Sequence, residues 1–194
     1  MADGMMDGDG APRHDRRAVD DHRNVAAGIV AGLIGGLVGT WVMTEFQALW
    51  SRAADGRKSQ WAAGGHDSRD RQERREGRNA NEVAAHAIAR RAIDRPLTRE
   101  ELEIAAPALH YAFGGTIGAL YGALSEMSPA VRALGGVGWG TAVWVGADEI
   151  AVPLVGLSRP AADHPLETHA QALAAHVVYG VTTELVRRGV RALL

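Results

Sequence analysis

The stretch Asn24 to Thr44, NVAAGIVAGLIGGLVGTWVMT, contains no charged side chain. An uncharged run of about 20 residues, rising about 1.5 Å per residue as a helix, matches a bilayer hydrocarbon core about 30 Å thick. It reads as a membrane-spanning helix over residues 25–50. Within it Gly28, Gly32 and Gly36 recur every fourth residue, with Gly35 and Gly39 on an adjacent row. That spacing lines small residues along one helix face, where a second backbone can approach closely. In water each such glycine weakens a helix by about 1 kcal/mol relative to alanine, whereas transmembrane helices tolerate them.

Upstream lies MADGMMDGDGAPRHDRRAVDDHRN, residues 1–24, rich in Asp and Gly and poor in large apolar side chains. Such a composition buries too little surface to offset the entropy of ordering, so a disordered polar tail is expected. A cleavable signal would place a shorter apolar run nearer the start, with a small-residue cleavage site behind it, so an uncleaved anchor is the expectation. The mean hydropathy of −0.11 is that of a soluble protein only because the average hides segregation. Charges gather in residues 1–24 and in a polar loop over 51–103, and residues 25–194 read as one membrane domain. With 21 basic and 23 acidic residues, no basic excess recruits nucleic acid. Cysteine is absent, which excludes disulfides, thiolate metal sites and cysteine nucleophiles.

The loop 51–103 contains RDRQERREGR at 69–78, whose interleaved acids mark a solvated segment rather than a basic patch. A short surface helix is expected near 81–93, with Val83, Ala84, Ala87 and Ile88 on its apolar side. Thr98-Arg-Glu-Glu101 has capping-box spacing and starts a helix. The span 104–126 follows, with Gly114, Gly118 and Gly122 on one row and Pro107 placed to bend it. Ser128-Pro129 reads as N-cap and first position of the next helix, and so short a turn predicts antiparallel neighbours. A third span over 130–157 carries Gly136 and Gly140 on one row and Gly138, Ala142 and Gly146 on another. A fourth over 166–186 precedes Arg187, Arg188 and Arg191. The fold class is therefore all-α: a polytopic membrane protein of about four transmembrane helices packed through glycine-rich faces.

Ionisable groups inside a span are costly and usually face the bundle interior. By helical rise Glu45, His110, Asp148, Glu149 and His176 all fall in one half of the bilayer. The expectation is a protonatable or cation-responsive cluster with Glu149 paired to His176. His169, seven residues before His176, shares its helix face nearer the surface. Glu184 precedes Arg187 and Arg188 at helical spacing, predicting an interfacial ion pair. Trp139 and Trp144 count too deep for interface anchors and should fill the bundle. No catalytic residue, metal set or cofactor motif emerges: the chain has no His-Glu-x-x-His, no nucleophile elbow and no P-loop, and Gly135 to Gly140 lacks the strand of a phosphate loop. The chain is expected not to be an enzyme. Its expected partners are the lipid bilayer and either a second copy or another membrane protein, with no nucleic acid.

Several stretches from Glu100 onward resemble the YagU-like family of bacterial inner-membrane proteins, classed as domain of unknown function 1440. They are His110-Tyr-Ala-Phe-Gly114, Gly118-Ala-Leu-Tyr-Gly122, Glu126-Met-Ser-Pro129, Ala147 to Pro153 with Gly156-Leu157, and His176-Val-Val-Tyr-Gly180 leading to Glu184-Leu-Val-Arg-Arg188. The resemblance extends to the glycine-rich first span. It implies a multi-pass protein of the bacterial cytoplasmic membrane and no established reaction. Two readings follow: a proton- or cation-responsive membrane protein, and a non-catalytic structural or assembly partner whose buried polar groups lock helix register.

Overall fold

The computed structural model describes residues 13–61, 82–91, 94–151 and 166–194, and every regular element among them is helical. Helix α1 is Arg13–Trp61 and α2 covers residues 82–91. Helix α3 is Arg99–Met127. A 3-10 turn, Pro129–Gly136, leads into α4, Val137–Trp144, which continues as a π-helical turn, Val145–Ala151. Helix α5 is Leu166–Arg191.

The packing follows the glycine rows. Gly28, Gly32 and Gly36 of α1 run antiparallel against Gly122, Gly118 and Gly114 of α3. A methyl built on Gly32 would lie 2.8 Å from the Gly122 Cα, and one on Gly36 2.9 Å from the Gly118 Cα. The second row faces α5: a methyl on Gly35 would meet the Thr183 carbonyl oxygen at 2.6 Å, and one on Gly39 the Tyr179 carbonyl oxygen at 2.9 Å. Helix α1 is thus the hub, with α3 and α5 on its two glycine faces and α4 held against α5. At that third contact a methyl on Gly180 would come within 2.9 Å of the Gly140 Cα. Where the backbones separate, large side chains fill the space: Met43, Ala175 and Tyr179 form a buried cluster flanked by Phe46, Ile117 and Trp139.

Several expectations are corrected. The helix begins at Arg13, so residues 13–24 are not a disordered tail; residues 1–12 lie outside the described residues. Once the apolar stretch has nucleated a helix, extending it through Arg and Ala costs little. For the same reason α1 runs past Trp50 to Trp61, and the polar loop 51–103 is helical at both of those ends and in α2. In α2 the protein buries Ala85 and Ala89, while Val83 and Ile88 are exposed. The third span is not one α-helix from residue 130. Leu134, Gly135 and Gly136 take left-handed backbone angles (φ 63°, 58° and 91°) that end the 3-10 turn and re-aim the chain into α4. Residues 152–157, the end of that expected span, lie outside the described residues. Nor are α3 and α4 close backbone neighbours. The close pairs are α1–α3, α1–α5 and α4–α5, because those are where facing glycines occur. The second row of α4 is likewise unused: nothing lies within 4 Å of a methyl placed on Gly138 or Gly146.

Other expectations hold. Helix α3 starts with the capping box: Thr98 Oγ1 accepts from the Glu101 amide at 3.2 Å and the Glu101 carboxylate accepts from the Thr98 amide at 2.8 Å. Pro107 lies inside this helix, which continues to Met127. Ser128 closes it by donating its amide to the Leu124 carbonyl, with Pro129 opening the next turn. Among the described residues, one helical stretch, Asn24–Ala54, with a mean hydropathy of 2.0, is long and apolar enough to cross a membrane.

Two predictions follow from this packing. Gly118→Leu forces a side chain into the α1 backbone and should destabilise the detergent-solubilised protein by about 3 kcal/mol, the upper range for overpacking. Gly138→Leu, in open space, should shift the thermal midpoint little; equal effects would contradict the assigned faces. At the helix start, Arg95 donates to the Glu101 carboxylate at 2.8 Å and, with the Thr98 amide, holds its pKa down at about 2 instead of 4.5. A depressed acid contributes stability above its unfolded pKa and loses it as pH falls through the folded one. Amide exchange at Glu101 and Leu102 should therefore rise between about pH 4.5 and 2, and Glu101→Gln should abolish that window.

Candidate functional site

The π-helical turn Val145–Ala151 carries Asp148 and Glu149 toward α5. Such a turn inserts an extra residue per bonded ring and is found disproportionately at functional sites. On α5, His169 and His176 lie two turns apart on one face. Two acid–imidazole pairs result. His169 Nδ1 lies 2.8 Å from Glu149 Oε1, both half-buried. His176 Nδ1 lies 3.7 Å from Asp148 Oδ2 and 2.9 Å from the Ala172 carbonyl oxygen. A carbonyl can only accept, so Nδ1 of His176 carries a proton and donates it there. The 3.7 Å to Asp148 is beyond hydrogen-bond distance, so that relation is electrostatic. The rings are set by apolar neighbours: Trp144 meets His169 edge-on at 6.3 Å, and His176, 8% exposed, adjoins buried Ala175 and Tyr179.

The sequence expectation paired Glu149 with His176. The structure gives Glu149 to His169 and Asp148 to His176, because the π turn shifts both carboxylates relative to an α-helix. His110 stands within electrostatic reach of His176 and edge-on to Tyr111. Glu45 is exposed on α1 and does not join the cluster. Trp139 and Trp144 are half-buried, with indole nitrogens shielded from solvent and Trp139 packed on Tyr121 at 5.1 Å.

A second polar centre occupies the opposite end of the bundle. Glu184 and Arg187 are 1% and 3% exposed, so the expected interfacial ion pair is a buried one. Arg187 Nε donates to Glu184 at 2.7 Å, and Arg188 Nε donates to the same carboxylate at 2.6 Å. Arg191 Nε donates to Glu126 at 2.9 Å, and Arg187 reaches Glu126 at 3.5 Å. The Arg187 guanidinium lies 5.9 Å above the Tyr121 ring. Glu126 was missed as a site residue, yet it continues the row Gly114, Gly118, Gly122 by one further step of four. The same row that seats α1 thus delivers a carboxylate to the arginines of α5. Between the two centres, Tyr179 donates its hydroxyl to the Gly114 carbonyl at 2.7 Å, an approach that only a bare α3 surface permits.

Residues 91–185, from the end of α2 through most of α5, match the family model described as protein of unknown function, DUF1440. The chain carries a DUF1440 domain. Its two acid–histidine pairs and Glu126 and Glu184 fall inside that match, whereas Arg187, Arg191 and the whole of α1 fall outside it. The resemblance read across the first span is therefore not part of the match. No curated protein and no solved structure matches this chain. Among the described residues, no group of three or more His, Cys, Asp or Glu is arranged to hold a metal ion.

The pairing is open to a double-mutant cycle. Glu149→Gln and His169→Gln should couple by about 1 kcal/mol in thermal stability at pH 6, since each removes the partner of the other. Glu149→Gln and His176→Gln should be additive. Coupling in the second cycle and not the first would reverse the assignment.

Proposed function

We propose that this DUF1440 protein is a multi-pass protein of the bacterial cytoplasmic membrane that responds to protons through its histidine–carboxylate pairs and catalyses no reaction. The observation that carries the reading is the placement of Glu149–His169 and Asp148–His176 between two packed helices. Ionisable pairs are rare within apolar bundles and mark ion or proton pathways when they occur. An imidazole can hold or release a proton, so proton uptake there would alter the charge of these pairs.

Membrane residence is supported by the surface of the bundle. On α1, Ile29, Val30, Leu33, Ile34, Leu37, Trp41 and Leu49 are each at least 39% exposed. Phe113 and Leu120 of α3, Val137 of α4 and Leu185 of α5 extend this apolar surface. An apolar surface so extensive suits lipid better than water. We read about four spans, on α1, on α3, on α4 with its π turn, and on α5. The two termini then share one side. The arginines of α5 and of the start of α1 favour the cytoplasm for that side. Arg191 lies beside Asn24. His169 lies roughly 33 Å from Arg191 along α5 by helical rise, so the histidine pairs face the periplasm.

The other reading, a structural partner in a membrane assembly, draws on the open row Gly138 and Gly146 of α4, where a further helix or a second copy fits. Reconstituted vesicles separate the two. Under an imposed pH gradient, proton flux should be measurable and should fall at least tenfold in His176→Gln. Absence of flux in vesicles containing correctly folded protein would reject the proton-responsive reading in favour of the assembly reading.

A further inference from the structure

Among the described residues, the end of the bundle opposite the histidine pairs carries more guanidinium groups than carboxylates. Four guanidinium groups, on Arg132, Arg187, Arg188 and Arg191, surround two carboxylates, Glu126 and Glu184. Arg187 and Glu184 are buried against each other, so the excess resides at the rim on Arg132, Arg188 and Arg191. Arg188 is 57% exposed and engages Glu184 only through Nε, which leaves both of its terminal nitrogens without a partner among the described residues. Arg132 is exposed and makes no hydrogen bond among the described residues.

The level of this rim is fixed by a contact. Arg191 Nη2 lies 3.4 Å from Asn24 Oδ1, and Asn24 is the first residue of the apolar stretch of α1. On the membrane reading proposed above, on which this inference rests, the rim arginines stand where hydrocarbon gives way to headgroups. Apolar surface lies directly on the hydrocarbon side of them. Leu185, 63% exposed, precedes Arg188 by three residues on the same face of α5. We infer that Arg132, Arg188 and Arg191 bind the phosphate of an anionic phospholipid whose acyl chain lies over Leu185. The planar guanidinium fork matches phosphate oxygens, and excess basic charge at a membrane surface selects anionic lipid. A free phosphate ion offers the same oxygens but gains nothing from Leu185.

Native mass spectrometry of the full chain, released from nanodiscs containing equal phosphatidylglycerol and phosphatidylcholine, tests this directly. Phosphatidylglycerol should be retained in preference. The Arg132→Gln/Arg188→Gln variant should lose affinity for it by about fivefold per charge. The corresponding double lysine variant should keep most of the preference, and Arg52→Gln, at the far end of the α1 span, all of it. Leu185→Ser should weaken lipid retention without changing competition by inorganic phosphate. Equal retention of both lipids, an unchanged preference in the double glutamine variant, or displacement of the lipid by millimolar inorganic phosphate would overturn the inference. Carbonate extraction of the same membranes keeps the two ideas apart. A protein that stays in the membrane without a lipid preference refutes only the lipid site, whereas one released by carbonate refutes the membrane reading itself.

Discussion

The contact between the backbones of α1 and its neighbours is the constraint on which the rest depends. Gly28, Gly32 and Gly36 meet Gly122, Gly118 and Gly114 so closely that a single methyl on most of them would collide with main-chain atoms. Close approach gives many weak dispersion contacts, and association of helices in lipid relies on such contacts. It also removes the space that a disordered or slipped register would need. Moving α3 by one residue along α1 would put Ile117 or Ala119 where Gly118 now sits, and neither fits. The glycine rows therefore specify register as well as affinity, without a large buried apolar core.

That register determines which polar groups meet. With α1 holding α3 on one face and α5 on the other, Tyr179 reaches the bare carbonyl of Gly114, and Glu126 arrives beside Arg187 and Arg191. Removing either partner of the Glu184–Arg187 pair would leave the other with its remaining contact alone, Arg188 at 2.6 Å for Glu184 and Glu126 at 3.5 Å for Arg187. The ion pairs at one end and the acid–histidine pairs at the other give the bundle two chemically different ends. One carries arginines bridged to carboxylates; the other carries histidines beside carboxylates.

Much of this was legible in the sequence. Fourth-residue glycine spacing identified the faces of α1 and α3, the capping box located the start of α3, and the ionisable positions of the last two helical segments were singled out. What could not be read was how those residues partner. Adjacent Asp148 and Glu149 point in different directions in any helix, but whether an α or a π turn carries them decides which histidine each one meets, and no residue in VGADEIA announces a π turn. The two glycine rows of α4 look alike as sequence, and only the position of α5 selects Gly136 and Gly140 over Gly138 and Gly146. The turn at Leu134 to Gly136 was hidden inside a glycine run that reads equally as helix packing. Residues 13–24 were read as disordered from composition alone, which ignores that a helix nucleated downstream extends cheaply into them.

The backbone of α1 lies directly against that of α3, and the other contacts follow from this one. The chain has no cysteine, so an introduced pair reports without background. A β-carbon placed on Gly114 would lie 3.1 Å from that of Thr40, within reach of a disulfide after a slight adjustment. Oxidation of native membranes carrying Thr40→Cys with Gly114→Cys should give a near-complete intramolecular cross-link, whereas Thr40→Cys with Gly138→Cys should give none. Failure of the first pair to cross-link in membrane-embedded protein, or equal cross-linking of both, would contradict the packing from which every other feature follows.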